Sequence, residues 1–102
     1  LLLMPEEKIR PGLAEVIPVR LRLEGLAREA GCTMAEFCVR YVLSNPAVSS
    51  VLTGVDTVEQ MRENLRLAAL GPLPADVLGR VRDCVPHLPE SLVRPALWNT
   101  RV

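Results

Sequence analysis

The chain has 102 residues, 49% of them apolar, and a formal net charge of +0, which suits one modest domain or a piece of a larger one. Its 12 basic residues are scattered among 12 acidic ones, which excludes the clustered positive footprint of a nucleic-acid or anionic-membrane binder. No apolar run reaches the roughly 20 residues of a membrane span, and Leu1-Leu2-Leu3-Met4 is too short for a secretory leader.

Residues 1–18, punctuated by Pro5, Pro11, Gly12 and Pro18, read as an irregular lead-in with a short helical turn near Leu13 to Val16. The first residue is Leu rather than Met, as expected of a processed chain or a portion of a longer one. From Val19 the apolar residues Leu23, Leu26, Ala27 and Ala30 recur at helical spacing, and Gly31 is placed to end the helix in the left-handed region. Thr33 and Glu36 form a T-x-x-E capping box for a second helix. That helix carries Met34, Phe37, Cys38, Tyr41 and Val42 on one face, widened by Ala35, Val39 and Leu43, a composition expected of a buried helix. Asn45-Pro46 stops it, because the residue before proline is pushed out of the α region.

The short run Val48 to Thr53 lacks alternation, as a strand covered on both faces would, and is read as a parallel-type strand. A lone strand leaves two unpaired edges, so 48–53 requires neighbours from missing sequence or from another chain. Gly54 breaks the run, and Thr57 with Gln60 opens a third helix whose expected inward stripe is Val58, Met61, Leu65 and Ala68. Leu70-Gly71-Pro72 closes it, and a fourth helix over about Ala75 to Cys84 follows Pro74. Residues 19–85 thus form a helix-helix-strand-helix-helix segment. Residues 86–102 read as an extended tail docked by Leu92, Leu97 and Trp98.

Little in the composition carries chemistry. His87 is the only histidine and stands between prolines in the tail. The three cysteines, Cys32, Cys38 and Cys84, have neither C-x-x-C nor zinc spacing, which argues against a metal site or a disulfide framework and for a reducing, cytoplasmic setting. No nucleophile elbow, Walker loop or dinucleotide glycine fingerprint occurs, so no catalytic constellation is read here. What remains is a polar ledge at the mouth of the third helix. Gly54 permits close backbone approach or a positive φ, Asp56 and Thr57 stand at the N-terminus, and Gln60, Glu63 and Asn64 extend from the first turns. Its donors and acceptors suit a nucleotide, and the free amides of a helix start suit an anion.

The stretch from Leu26 to Leu65 resembles the C-terminal region of the aldo/keto reductases. The matching residues are Arg40-Tyr41-Val42-Leu43-Ser44-Asn45-Pro46, then Thr53-Gly54, then Glu59-Gln60-Met61-Arg62-Glu63-Asn64, with Leu88-Pro89-Glu90 and Arg94 to Trp98 in the tail. The resemblance implies an α/β fold, the C-terminal part of a (β/α)8 TIM barrel, with about four helices and one strand in this chain and the remaining barrel strands pairing with 48–53. It implies an NADP- or NAD-dependent reduction of aldehydes or ketones, with the adenosine end of the dinucleotide bound here. By position, Gly54, Asp56 and Thr57 would lie near the adenosine-side phosphate and ribose, Gln60 near the 2′ substituent, and Glu63 and Asn64 near the adenine. Two departures stand out. An acid at Asp56 would repel a 2′-phosphate and accept from a free 2′-hydroxyl, so NADH is expected to be tolerated or preferred. The family's catalytic Asp, Tyr, Lys and His lie on earlier strands and have no counterparts here, so this chain alone is not expected to transfer hydride. A reading from another class is a small, mainly helical interaction module that keeps this core without the ligand.

Overall fold

A computed structural model describes residues 1–101. Five α-helices make up its frame: α1 (Val16–Glu29), α2 (Met34–Leu43), α3 (Val58–Leu70), α4 (Ala75–Cys84) and the single turn α5 (Glu90–Val93). Short 3-10 turns at Glu6–Lys8 and Pro11–Leu13 lead in, and another at Pro95–Thr100 closes the tail.

Each helix boundary has a local cause. Pro18 falls in the first turn of α1, where its missing N–H would have had no helical partner. At the other end Gly31 takes φ +72°, and two bonds close the helix: Cys32 N–H donates to the Ala27 carbonyl at 2.9 Å and Gly31 N–H to Arg28 at 3.0 Å. That pairing is a Schellman cap, and its left-handed residue favours glycine. Thr33 Oγ1 then accepts from Glu36 N–H at 3.2 Å to start α2. The reciprocal half of the expected capping box is not made, because the Glu36 carboxylate accepts from Arg66 instead. Around α3 both halves are present: Thr57 Oγ1 accepts from Gln60 N–H at 3.1 Å and Gln60 Oε1 accepts from Thr57 N–H at 3.3 Å.

Two apolar clusters hold the frame. The larger joins Val19, Leu23 and Ala27 of α1 to Phe37 of α2, Leu73 of the α3–α4 turn and Val81 of α4. The smaller joins Leu13 and Val16 to Leu92, which is wholly buried, so the tail packs back against the lead-in. Trp98 Nε1 donates to the Leu92 carbonyl at 2.8 Å and Arg101 Nε to the Gly12 carbonyl at 2.7 Å, securing that clasp. Burying each Leu, Val or Phe contributes about 1.5–3 kcal/mol. Arg40 fastens α2 to the α3–α4 turn: its guanidinium donates to the carbonyls of Gly71 and Pro72 at 3.1 and 3.0 Å and to Cys32 Sγ at 3.2 Å. Ser44 completes this joint by accepting from Leu73 N–H at 2.8 Å.

Three expectations are corrected. The described residues contain no β-strand, so the α/β reading does not hold for this chain; its frame is helical. Residues 48–53 run as an irregular segment, beginning in a turn where Ala47 N–H donates to Asn45 Oδ1 at 2.9 Å and Val48 N–H to the Asn45 carbonyl at 3.0 Å. The physical reason is the one the sequence raised. Among the described residues no strand is present to accept a ladder, and Leu52, at 96% exposure, is buried against nothing. Second, α3 is rotated relative to its expected inward stripe: Val58, Met61 and Leu65 are exposed, and Leu67 alone is buried. Only α2 packs closely on α3, and a single neighbour buries a single line of side chains. Third, α2 buries only Phe37, while Tyr41 and Val42 are exposed at the helix's far end.

Candidate functional site

The start of α3 and the segment before it form a polar, exposed ledge that side-chain hydrogen bonds hold together. Gln60 Oε1 reaches back over the turn, accepting from Asp56 N–H at 2.6 Å as well as from Thr57 N–H. Asn64, one turn further on, donates through Nδ2 to Thr53 Oγ1 at 3.1 Å. Those bonds fold residues 53–57 onto the helix. They join Asp56 and Thr57 to Gln60, and Thr53 to Asn64, along one stretch of α3, with Gly54 in the segment between them. Beside it lies a crevice of about 90 Å³ lined by Val39, Leu43, Val51, Thr53, Asn64 and Leu67.

This bonding assigns a polarity to each group. With its oxygen engaged, Gln60 offers its Nε2 hydrogens outward as donors. Asn64 has its Nδ2 engaged and offers Oδ1 as an acceptor. The Asp56 carboxylate is exposed and has no ion-pair partner among the described residues. The backbone is less open to an anion than a bare helix start. Asp56, Thr57 and Gln60 N–H are satisfied internally, which leaves Val58 and Glu59 as the free amides of the first turn. Gly54 differs from expectation: among the described residues only Gly31 and Gly71 have positive φ, and a Cβ at Gly54 would meet nothing within 4 Å. Its backbone conformation does not demand glycine.

Glu63 differs from the other ledge residues in that its carboxylate is bonded to a cation. Arg66 grips its carboxylate at two points, Nε to Oε2 at 2.9 Å and Nη2 to Oε1 at 2.5 Å. The same Nη2 donates to Glu36 Oε1 on α2 at 2.8 Å. The Arg66 hydrogen bond holds the Glu63 carboxyl below its usual range, and the two carboxylates raise the Arg66 guanidinium above its own. Arg66 and Glu36 are the residues that sequence reasoning missed. The Glu63–Arg66 spacing of i, i+3 is a sequence signal for their contact. The bridge to Glu36 requires the packing of α3 on α2, which no local pattern gives.

Elsewhere the groups do not converge on chemistry. An open apolar groove of about 740 Å³ is bordered by Val19, Phe37, Cys38, Tyr41, Val85 and Trp98. Among the described residues Arg82 is the one charged side chain on its wall. Burial pushes the Cys38 thiol up, toward an inert side chain rather than a nucleophile. His87 lies exposed in the tail. Among the described residues no three His, Cys, Asp or Glu side chains gather as a metal site would require, and no helix is long and apolar enough to cross a membrane.

Comparison with known proteins bears on residues 5–86, which match the profile of the Aldo/keto reductase family. A probable voltage-gated potassium channel subunit beta from Arabidopsis thaliana is 36% identical over 73 residues, covering 68% of this chain and 22% of that protein. The uncharacterized oxidoreductase YqkF from Bacillus subtilis (strain 168) is 39% identical over 54 residues, covering 53% of this chain and 17% of that protein. The chain therefore spans about a fifth of the length of these relatives. No solved structure matches it significantly.

Proposed function

Because the chain belongs to the aldo/keto reductase family, which makes this an oxidoreductase-type region, we propose that its α3 ledge takes the adenosine end of a nicotinamide dinucleotide in an enzyme that reduces aldehydes or ketones. The observation that carries this reading is the hydrogen-bonded assembly of Thr53, Asp56, Thr57, Gln60 and Asn64 along one stretch of α3. Donors from Gln60 and the Val58 and Glu59 amides stand beside acceptors on Asn64 and Glu63, a set that matches a phosphate, a ribose and the amine edge of adenine. Binding and orientation of that end are the work assigned to these residues. The cofactor supplies the hydride, and the groups acting on the carbonyl are assigned outside this chain.

Asp56 determines which dinucleotide is favoured. Its unpaired carboxylate can accept from a free 2′-hydroxyl and would repel a 2′-phosphate, so the reading includes a preference for NADH over NADPH. Equilibrium titration of the 102-residue chain with each dinucleotide tests both statements. Saturable binding of NADH, with NADPH weaker, and a shift toward NADPH in Asp56→Ser are the expected results. Binding of neither dinucleotide overturns the site; much tighter NADPH binding overturns the role of Asp56.

A second reading draws on the bare apolar stripe of Val58, Met61 and Leu65, exposed at 63%, 47% and 64%. Patches of this kind mark contact surfaces, and an interaction module without a cofactor would show association through α3 with no nucleotide binding in the same titration.

A further inference from the structure

Helix α3 is apolar on two sides, and the chain covers one of them. Leu67 is buried where α3 packs on α2, and the paired Glu63 and Arg66 reach Glu36 on that same helix. Val58, Met61, Leu65 and Ala68 are all exposed, and helical geometry sets them roughly 100–180° around the axis from Leu67. Their positions follow the a/d spacing of a helix seam, which another α-helix of the same spacing fills by knobs into holes. The molecule as a whole carries the same surplus of exposed surface. Its accessible area is 7044 Å², against about 5,700 Å² for a compact monomer of its mass. Its radius of gyration is 14.7 Å, against about 13 Å for a compact domain of this length. The surplus, roughly 1,300 Å² on that scaling, exceeds the roughly 800 Å² that each partner contributes to an interface of standard size.

We propose that this outer side of α3 is an interface with a second copy of the chain, in which the Val58, Met61, Leu65 and Ala68 seams of two α3 helices pack on one another about a two-fold axis. This rests on the second reading above, in which α3 is a contact surface, and names its partner. A two-fold contact needs a patch that complements itself, and an a/d seam does so because each helix offers the spacing that the other requires. No charged residue lies within the seam, and a net charge of +0 gives two copies no long-range repulsion. Arg62 borders the seam, and its apolar stem can lie along it while the guanidinium stays in water. Glu63 and Arg66 keep their bonds toward α2 in this arrangement.

Sedimentation equilibrium of the full chain across the micromolar range tests the proposal. The wild type should pass from monomer to dimer and stop there, and its thermal midpoint should rise with protein concentration. Leu65→Glu sets two like charges against each other in the paired seams, while the monomer loses no buried side chain because Leu65 is 64% exposed. It should weaken dimerisation by about tenfold or more and flatten the concentration dependence of the midpoint, with the circular dichroism of the monomer unchanged. Met61→Lys should do the same from a different position in the seam. Val42→Glu, at an exposed site on α2 beside the apolar groove, should leave the dimer intact. A monomer throughout the range overturns the proposal, as do assembly beyond a dimer, a dimer indifferent to both Leu65→Glu and Met61→Lys, and a dimer abolished by Val42→Glu. Dinucleotide titration of the same samples separates this inference from the reading it rests on. Saturable NADH binding by the dimer removes the cofactor-free module and leaves the interface standing, whereas a monomer that binds no dinucleotide removes the interface and leaves α3 open to a partner of another kind.

Discussion

The two halves of the molecule are built on different principles. Around α1 and α4, side chains from four parts of the chain meet, and the lead-in and tail close over one end, so Leu13, Val16, Val19, Leu23, Val81 and Leu92 are all buried. From Asn45 to Leu70 the chain instead forms an arm in which Leu67 alone is buried, held by α2 on one side and by polar bonds along its length. Apolar burial gives the first half its stability, while directional hydrogen bonds give the second its shape. Elements with few buried contacts open most readily, and ligand-binding segments are commonly drawn from them. The ledge accordingly lies on the half that folding holds least tightly.

That contrast can be broken by substitution. Leu92→Ala empties the centre of the tail clasp and should cost about 2–5 kcal/mol of global stability, read by denaturant unfolding followed by circular dichroism. An effect confined to local fraying would refute the division drawn here. Leu67→Ala should cost somewhat less, about 2–4 kcal/mol, and locally: α3 amides should lose protection from hydrogen exchange while α1 and α4 keep theirs. Uniform loss of protection would show that arm and frame form one cooperative unit. The smallest change is Thr57→Ala, which removes the acceptor for Gln60 N–H and should weaken the start of α3 by about 1 kcal/mol. It should also loosen the 53–57 segment, visible as faster exchange at Gln60 than at Leu67.

Where the controlling physics is local, the sequence discloses the structure. Gly31, Thr33, Thr57 and Gln60 are each where capping rules put them, because a cap depends on neighbours within a turn. The helices are legible for the same reason. The faces they present are less so. Met61 and Leu65 belong to an apolar stripe at helical spacing, yet packing on α2 turns α3 about Leu67 and leaves them in solvent. A run such as Val48 to Thr53 is compatible with a strand, but strand formation is a pairwise event and no partner is present among the described residues. In the candidate site, Gln60 and Asn64 could be placed from their i, i+4 spacing. The engagement of Glu63 by Arg66 and Glu36 could be placed only in part, since Glu36 and Arg66 are 30 residues apart.

The clasp between tail and lead-in has a kinetic meaning as well. Its Arg101–Gly12 bond joins residues 89 positions apart, whereas α1 meets α2 across a short turn. Closing so long a loop is entropically costly until other contacts have shortened it, so the clasp belongs among the late events of folding. Interactions absent from the transition state govern how fast the native chain comes apart rather than how fast it assembles. Leu92 is thus a determinant of the lifetime of the folded state, and a chevron for Leu92→Ala should show a faster unfolding limb with the refolding limb almost unmoved.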